Sequence, residues 1–89
     1  MVAFRKHLEP DLCTFVDAEQ NVLTIEVVLP GVNKETIKLR VNSRCLVISA
    51  ASDEVDYSKY VPFRSPVIAT LARANYEHGL LRVIVPIRA

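Results

Sequence analysis

Alternation of apolar and polar side chains constrains this chain more tightly than any other feature. In Val22 to Leu29 the residues Leu23, Ile25, Val27 and Leu29 share one face, opposite Val22, Thr24, Glu26 and Val28. That is the period of a half-buried strand, not of a helix. Ile37, Leu39 and Val41 alternate with Thr36, Lys38 and Arg40, as expected of an antiparallel sheet that is wet on one side. Leu46, Ile48 and Ala50 continue the pattern. In Leu80 to Val85 the inward set is Leu81, Val83 and Val85, and Leu80, Arg82 and Ile84 face out.

The segments between these runs are Ala18 to Asn21, Pro30 to Glu35 and Asn42 to Arg44, all rich in turn formers. His78-Gly79 separates two further apolar-rich runs; glycine accepts the positive φ of a tight hairpin, and histidine tolerates the left-handed region. Pro86 closes the strand that follows. Leu12 to Val16 adds an early strand and Tyr60 to Arg64 another, where Pro62 marks a sheet edge because it cannot donate to a ladder. The acidic stretch Ser52 to Asp56 reads as a solvated loop. Ser65-Pro66 can begin a short helical turn, with Val67, Leu71 and Ala74 at helical spacing, or lead a loop into a strand near Ala72 to Tyr76. Several short strands at this spacing predict an all-β protein, a sandwich or a barrel.

With 89 residues there is room for one small domain. Apolar residues make up 51% of the chain, which fits a packed core better than a linker or a disordered segment. Eleven basic against ten acidic residues give a net charge of +1, too balanced to hold a phosphate backbone by counterion release. Nucleic acid is therefore not an expected partner. Lys38, Arg40 and Arg44 carry no aromatic platform among them and read as a solvated face. No apolar stretch has the length of a signal peptide or a membrane span, so the expectation is a cytoplasmic protein without a membrane partner.

Chemistry is sparse. His7 and His78 lie far apart, and neither has a nucleophile or carboxylate at an interpretable spacing. Cys13 and Cys45 lack a metal-ligand or redox spacing and read as small strand hydrophobes. Gly31 and Gly79 are the only glycines, which leaves no phosphate-cradling loop. The sequence predicts no catalytic residue, no cofactor and no metal, and hence no enzyme.

Ala74-Asn-Tyr-Glu-His-Gly79, followed by Leu81, Val83 and Pro86, resembles the A-x-x-x-x-G-x-L signature of the small heat-shock protein (α-crystallin domain) family. Leu29-Pro30-Gly31-Val32 is similar to its second landmark, and the resemblance spans about residues 12 to 86. It implies an immunoglobulin-like antiparallel β-sandwich over residues 12–87, with a short arm at 1–11 and a residual tail at 88–89. It also implies an ATP-independent holdase, whose partners are unfolded or partly folded client proteins and either itself, as monomer or dimer, or a related chaperone. In the family, a groove between the strands matched by Ile37 to Val41 and Ala72 to Tyr76 takes an apolar anchor, which places Leu39, Val41, Ala72 and Ala74 at the client or partner groove.

The span Ala51 to Lys59 is short where many family members carry a long loop with an exchanging strand, so the strand-swapped dimer is not expected. Few residues precede and follow the domain, which implies weak client binding and a small assembly. The same short span suits an alternative: a co-chaperone-type interaction module docking on a folded partner such as the ninety-kilodalton heat-shock chaperone, or a subunit of a larger assembly. Outward apolar residues offer a second surface. If strands 22–29 and 80–85 are neighbours, Val22, Val28, Leu80 and Ile84 form an apolar patch fit for a partner.

Overall fold

Alternating strands of this kind bury one face each, and the computed structural model, which describes residues 5–88, shows how they do so. Among these residues there are eight strands: β1 (Lys6–Leu8), β2 (Leu12–Asp17), β3 (Val22–Val28), β4 (Lys38–Val41), β5 (Cys45–Ala51), β6 (Val55–Pro62), β7 (Arg73–Glu77) and β8 (Leu80–Pro86). They form two four-stranded sheets, ordered β1-β6-β5-β4 and β2-β3-β8-β7. All pairings are antiparallel except β1 with β6, which is parallel. The result is the expected β-sandwich.

The inward sets of the sequence pattern make the core. Ile25, Val27, Leu46, Ile48, Leu81, Val83 and Val85 are buried, and Leu29 and Val67 join them. Ile25 stands opposite Val83 and Val27 opposite Leu81, so the two central strands of one sheet present a continuous apolar floor to the other sheet.

Local chemistry fixes each turn. Asp17 Oδ1 accepts hydrogen bonds from the backbone N–H groups of Glu19 and Gln20, and Asn42 Oδ1 accepts from those of Arg44 and Cys45. These are the side-chain turn mimics that Asp and Asn favour. His78 and Gly79 have φ of 51° and 79°, the double left-handed geometry of a two-residue hairpin whose twist matches its strands. Gly31, with φ of 66°, turns the chain after Pro30. These two turns meet: Leu29 N–H donates to Gly79 O at 2.8 Å, and the Tyr76 hydroxyl donates to Leu29 O.

One segment differs from the sequence expectation, and a second, left open there, is resolved. Ser52 to Asp56 is not a loop throughout, because β6 begins at Val55 and only a tight turn separates it from β5. Ser52 and Val55 close that turn with reciprocal backbone and side-chain hydrogen bonds. The alternation was masked because Lys59 occupies an inward position, paired opposite buried Ile48. Between Ser65 and Arg73 there is a short 3₁₀ turn at Ala69–Leu71 and then a strand, so the loop reading holds over the α-helical one. Val67 bridges to Ile87, and Ile68 N–H donates to Pro86 O; these bonds to the end of β8 hold the segment extended.

Of the arm expected at 1–11, residues 1–4 lie outside the described residues, as does Ala89 of the tail; Lys6–Leu8 is the added strand β1. Cys13 is exposed on β2 and Cys45 half-buried, so Cys13 is no core hydrophobe. Its partner across the strands is Glu26 on the outer face.

Tyr76→Phe removes the hydroxyl that satisfies Leu29 O and should cost about 1 kcal/mol of unfolding free energy. Ile48→Ala, which empties a fully buried site, should cost about 2 to 5 kcal/mol. Urea titration of both variants checks the ranking.

Candidate functional site

Sheet edges are where a sandwich offers backbone groups and gaps between its layers. At one flank, β4 of one sheet and β7 of the other are both end strands. Alternation turns Leu39 and Val41 of β4 inward, where they stay half-buried, because among the described residues no further strand closes the layer beside them. A groove of about 170 Å³ lies there, lined by Ile37, Leu39, Ala74, Tyr76 and Leu81 with Lys34 and Asn75 at its rim.

The structure thus brings together Leu39 and Ala74 of the four groove residues read from the sequence. Val41 packs against the core cluster further along β4, and Ala72 ends the 3₁₀ turn before β7; neither lines the groove. Ile37 and Tyr76 do line it. Ile37 could have been found from its inward phase with Leu39, and Tyr76 from the same phase as Ala74.

The outer face of the other sheet carries the second set. Val28 stands opposite Leu80, Ile84 opposite Thr24, and Val22 opposite Pro86. Between the first pair and Ile84 lies the cross-strand pair Glu26 and Arg82, joined by hydrogen bonds of 2.8 and 2.9 Å. This ion pair divides the four apolar residues, so they make a Val28 and Leu80 pair at one end and Ile84 and Val22 beyond the charges. Phe15, about half exposed, lies across Thr24 from Ile84.

At the opposite flank, β2 is an end strand and Val16 on its inner side is 64% exposed. A cleft of about 210 Å³ opens there between Thr14, Val16, Leu23 and Ile87 on the side of one sheet and Val61 and Phe63 on the side of the other. Beside it, β1 covers Val55 to Tyr57 of β6, and among the described residues no strand lies along the rest of that edge. Polar contacts hold β1. Arg5 Nε donates to both oxygens of Asp56 at 3.1 Å, and its terminal nitrogens reach Asp56 Oδ1 at 2.9 Å, Asp53 O at 2.9 Å and Ser52 O at 2.8 Å. Lys59 Nζ donates to Glu9 Oε1 at 2.6 Å. The Arg5 hydrogen bonds hold the Asp56 carboxyl below its ordinary range, and the Lys59 hydrogen bond does the same for Glu9.

Among the described residues there is no group of three or more His, Cys, Asp or Glu placed to hold a metal ion. No helix among them is long and apolar enough to cross a membrane.

The geometry has counterparts among solved structures. Heat shock protein 16.0 from Schizosaccharomyces pombe superposes with a TM-score of 0.80 at 23% identity, over 92% of this chain and 68% of that one. HSP18.5 from E. histolytica gives 0.83 at 14% identity, over 92% and 90% of the two chains. This chain has the α-crystallin fold. A small heat-shock protein from Xylella fastidiosa shares it with a TM-score of 0.75 at 17% identity, over 90% of this chain and 86% of that one. No protein-family model matches the sequence, and no curated protein does. Within the α-crystallin fold, the Leu29-Pro-Gly turn and the Ala74 to Gly79 hairpin are the two segments that the Leu29 hydrogen bonds join.

The clasp on β1 has a defined pH response. A carboxylate whose folded pKa is depressed contributes stability that is complete above its unfolded pKa, about 4, and lost as pH falls through the lower folded value. The protection factor of the Lys6 amide, which donates to Glu54 O, should therefore fall as the pH drops below about 4 while that of buried Ile25 persists. Amide exchange by NMR reads both.

Proposed function

We propose that this chain is an ATP-independent holdase that binds partly unfolded proteins, with the groove between β4 and β7 as its client site. The observation that carries this reading is the pairing of an apolar groove with two end strands. Ile37, Leu39 and Leu81 supply an apolar floor, and among the described residues β4 and β7 each have a side without a strand, to which an extended peptide can add by backbone hydrogen bonding. Exposed apolar segments of a non-native protein fit both needs, and nothing in this mode requires nucleotide. The likeness to small heat-shock proteins supports the same reading.

Magnitudes indicate how strong one such contact is. Two apolar side chains entering the groove contribute roughly 3 to 6 kcal/mol, and association costs about 4 kcal/mol or more. A single engagement is nearly neutral. Useful affinity then comes from several contacts made together, through strand edges or through several copies acting on one client.

A second reading is a protein-interaction module that docks on a folded partner, and the tight turn between β5 and β6 favours it over an assembly built on a long exchanging loop. The Val28 and Leu80 pair is then the docking surface. Outward side chains at these positions can be changed without emptying the core.

The two readings separate in a heat-aggregation assay with a model client. Ala74 is exposed on β7, so Ala74→Glu should leave folding intact and reduce protection of the client several-fold by placing a charge in the groove. Val28→Ser with Leu80→Ser should leave protection unchanged. Full protection by Ala74→Glu would remove the groove from consideration, and loss of protection in the double variant would move the site to the outer face.

A further inference from the structure

We propose that residues 5–8 are an exchangeable strap: the seat formed by the turn after β5 and the edge of β6 accepts the Arg5-led strand of a second copy of this chain as well as its own. The proposal stands apart from the holdase reading, since it concerns the opposite flank and another occupant.

The seat is built for a guanidinium. Both Asp56 oxygens and the backbone carbonyls of Ser52 and Asp53 converge on Arg5 at 2.8 to 3.1 Å. A planar fork with five donors fills such an array, and a lysine ammonium cannot. Beyond the arginine, backbone pairing takes over, with Lys6 N–H donating to Glu54 O and the parallel register running through Leu8 opposite Tyr57.

The charges are complementary at the start of the contact. The strap carries Arg5 and Lys6, and the seat contributes Asp53, Glu54 and Asp56, with His7 Nδ1 3.9 Å from Asp56 Oδ2. Apolar burial contributes little, because all three residues of β1 are exposed. What holds the strap in place is therefore a set of polar contacts that a second copy can reproduce atom for atom.

The connection favours exchange. Only residues 9–11 lie between β1 and β2, and in that space the chain passes from one sheet to the other. A short hinge joining an element to a body it barely packs against is the usual setting for swapping. In one intact chain the covalent link gives its own strap an effective concentration in about the millimolar range, so the intramolecular form prevails in dilute solution. Disabling that form while keeping one good strap and one good seat reveals the exchange.

Two full-length variants do this. Arg5→Ala keeps the seat and loses the guanidinium; Asp56→Asn keeps the strap and loses the carboxylate. Each alone should show one mass by light scattering. Mixed at equal, high concentration they should associate, raising the weight-average mass by up to about twofold, and about 0.5 M salt should reverse the rise because the contact is ionic and exposed. A mixture whose mass stays at the mean of its components overturns the proposal. Protection of the Ile25 amide verifies that each variant is folded. If Asp56→Asn is not, a labelled peptide of residues 5–9 titrated into the Arg5→Ala chain decides instead: it should bind about tenfold or more tighter than the same peptide with glutamine at position 5, and equal binding of the two peptides overturns the proposal.

Discussion

Both backbone polar groups of Leu29 are claimed from across the sheet, and much of the architecture follows from that. Its N–H donates to Gly79 O, its carbonyl accepts from the Tyr76 hydroxyl, and its side chain is fully buried. The first bond ties the end of β3 to the β7-β8 hairpin turn; the second ties it to β7 itself. Pro30 and Gly31 then redirect the chain toward the other layer, and a Cβ at Gly79 would lie 3.7 Å from Pro30 Cα, an ordinary contact. Glycine is needed at 79 for its positive φ, not for space. Remove the joint and β7 keeps its ladder with β8 but loses its tie to the end of β3, and Tyr76, which lines the groove, loses its anchor.

Strands whose inward residues are all apolar could be read from the chain alone, which is why β3, β4, β5 and β8 were legible. The start of β6 was not. Its inward positions are Val55, Tyr57, Lys59 and Val61, and the lysine interrupts the pattern because it lies at an edge where its amine can reach Glu9. β1 was invisible for another reason: three exposed residues carry no apolar phase, and its partner lies about fifty positions away. Ser52 to Asp56 looked like a solvated acidic loop because the guanidinium that organises it comes from Arg5. Only two of the seven groove-lining residues, Leu39 and Ala74, were read from the sequence, for a similar reason. Phase places Leu39 and Ala74 inward, but which inward residues share a gap depends on how the two sheets overlap, and that is a property of the pair.

The outer face teaches the complementary lesson. Alternation correctly put Val22, Val28, Leu80 and Ile84 on one side of the sheet, yet register decides whether such residues touch. The register pairs Glu26 with Arg82, and a charged row between apolar rows limits the contiguous area that would attract other chains. One ion pair therefore contributes to solubility more than to stability, since exposed pairs are worth little on their own.

The molecule treats its edges unequally, and the inequality has a physical logic. β4 and β7 flank an apolar groove and carry no covering strand among the described residues. β6, by contrast, is guarded three ways, by a parallel strap over its first residues, by the inward charge of Lys59, and by Pro62 at its end, all devices that discourage strand addition. Guarding is needed there because β6 is the longest strand, with eight residues, and an open edge of that length is the most adhesive surface the fold could present. The guard is held by ions, whereas the sandwich beneath is held by buried aliphatic side chains. Salt and acid act on the first and spare the second, so the edge can be uncovered while the core stays folded.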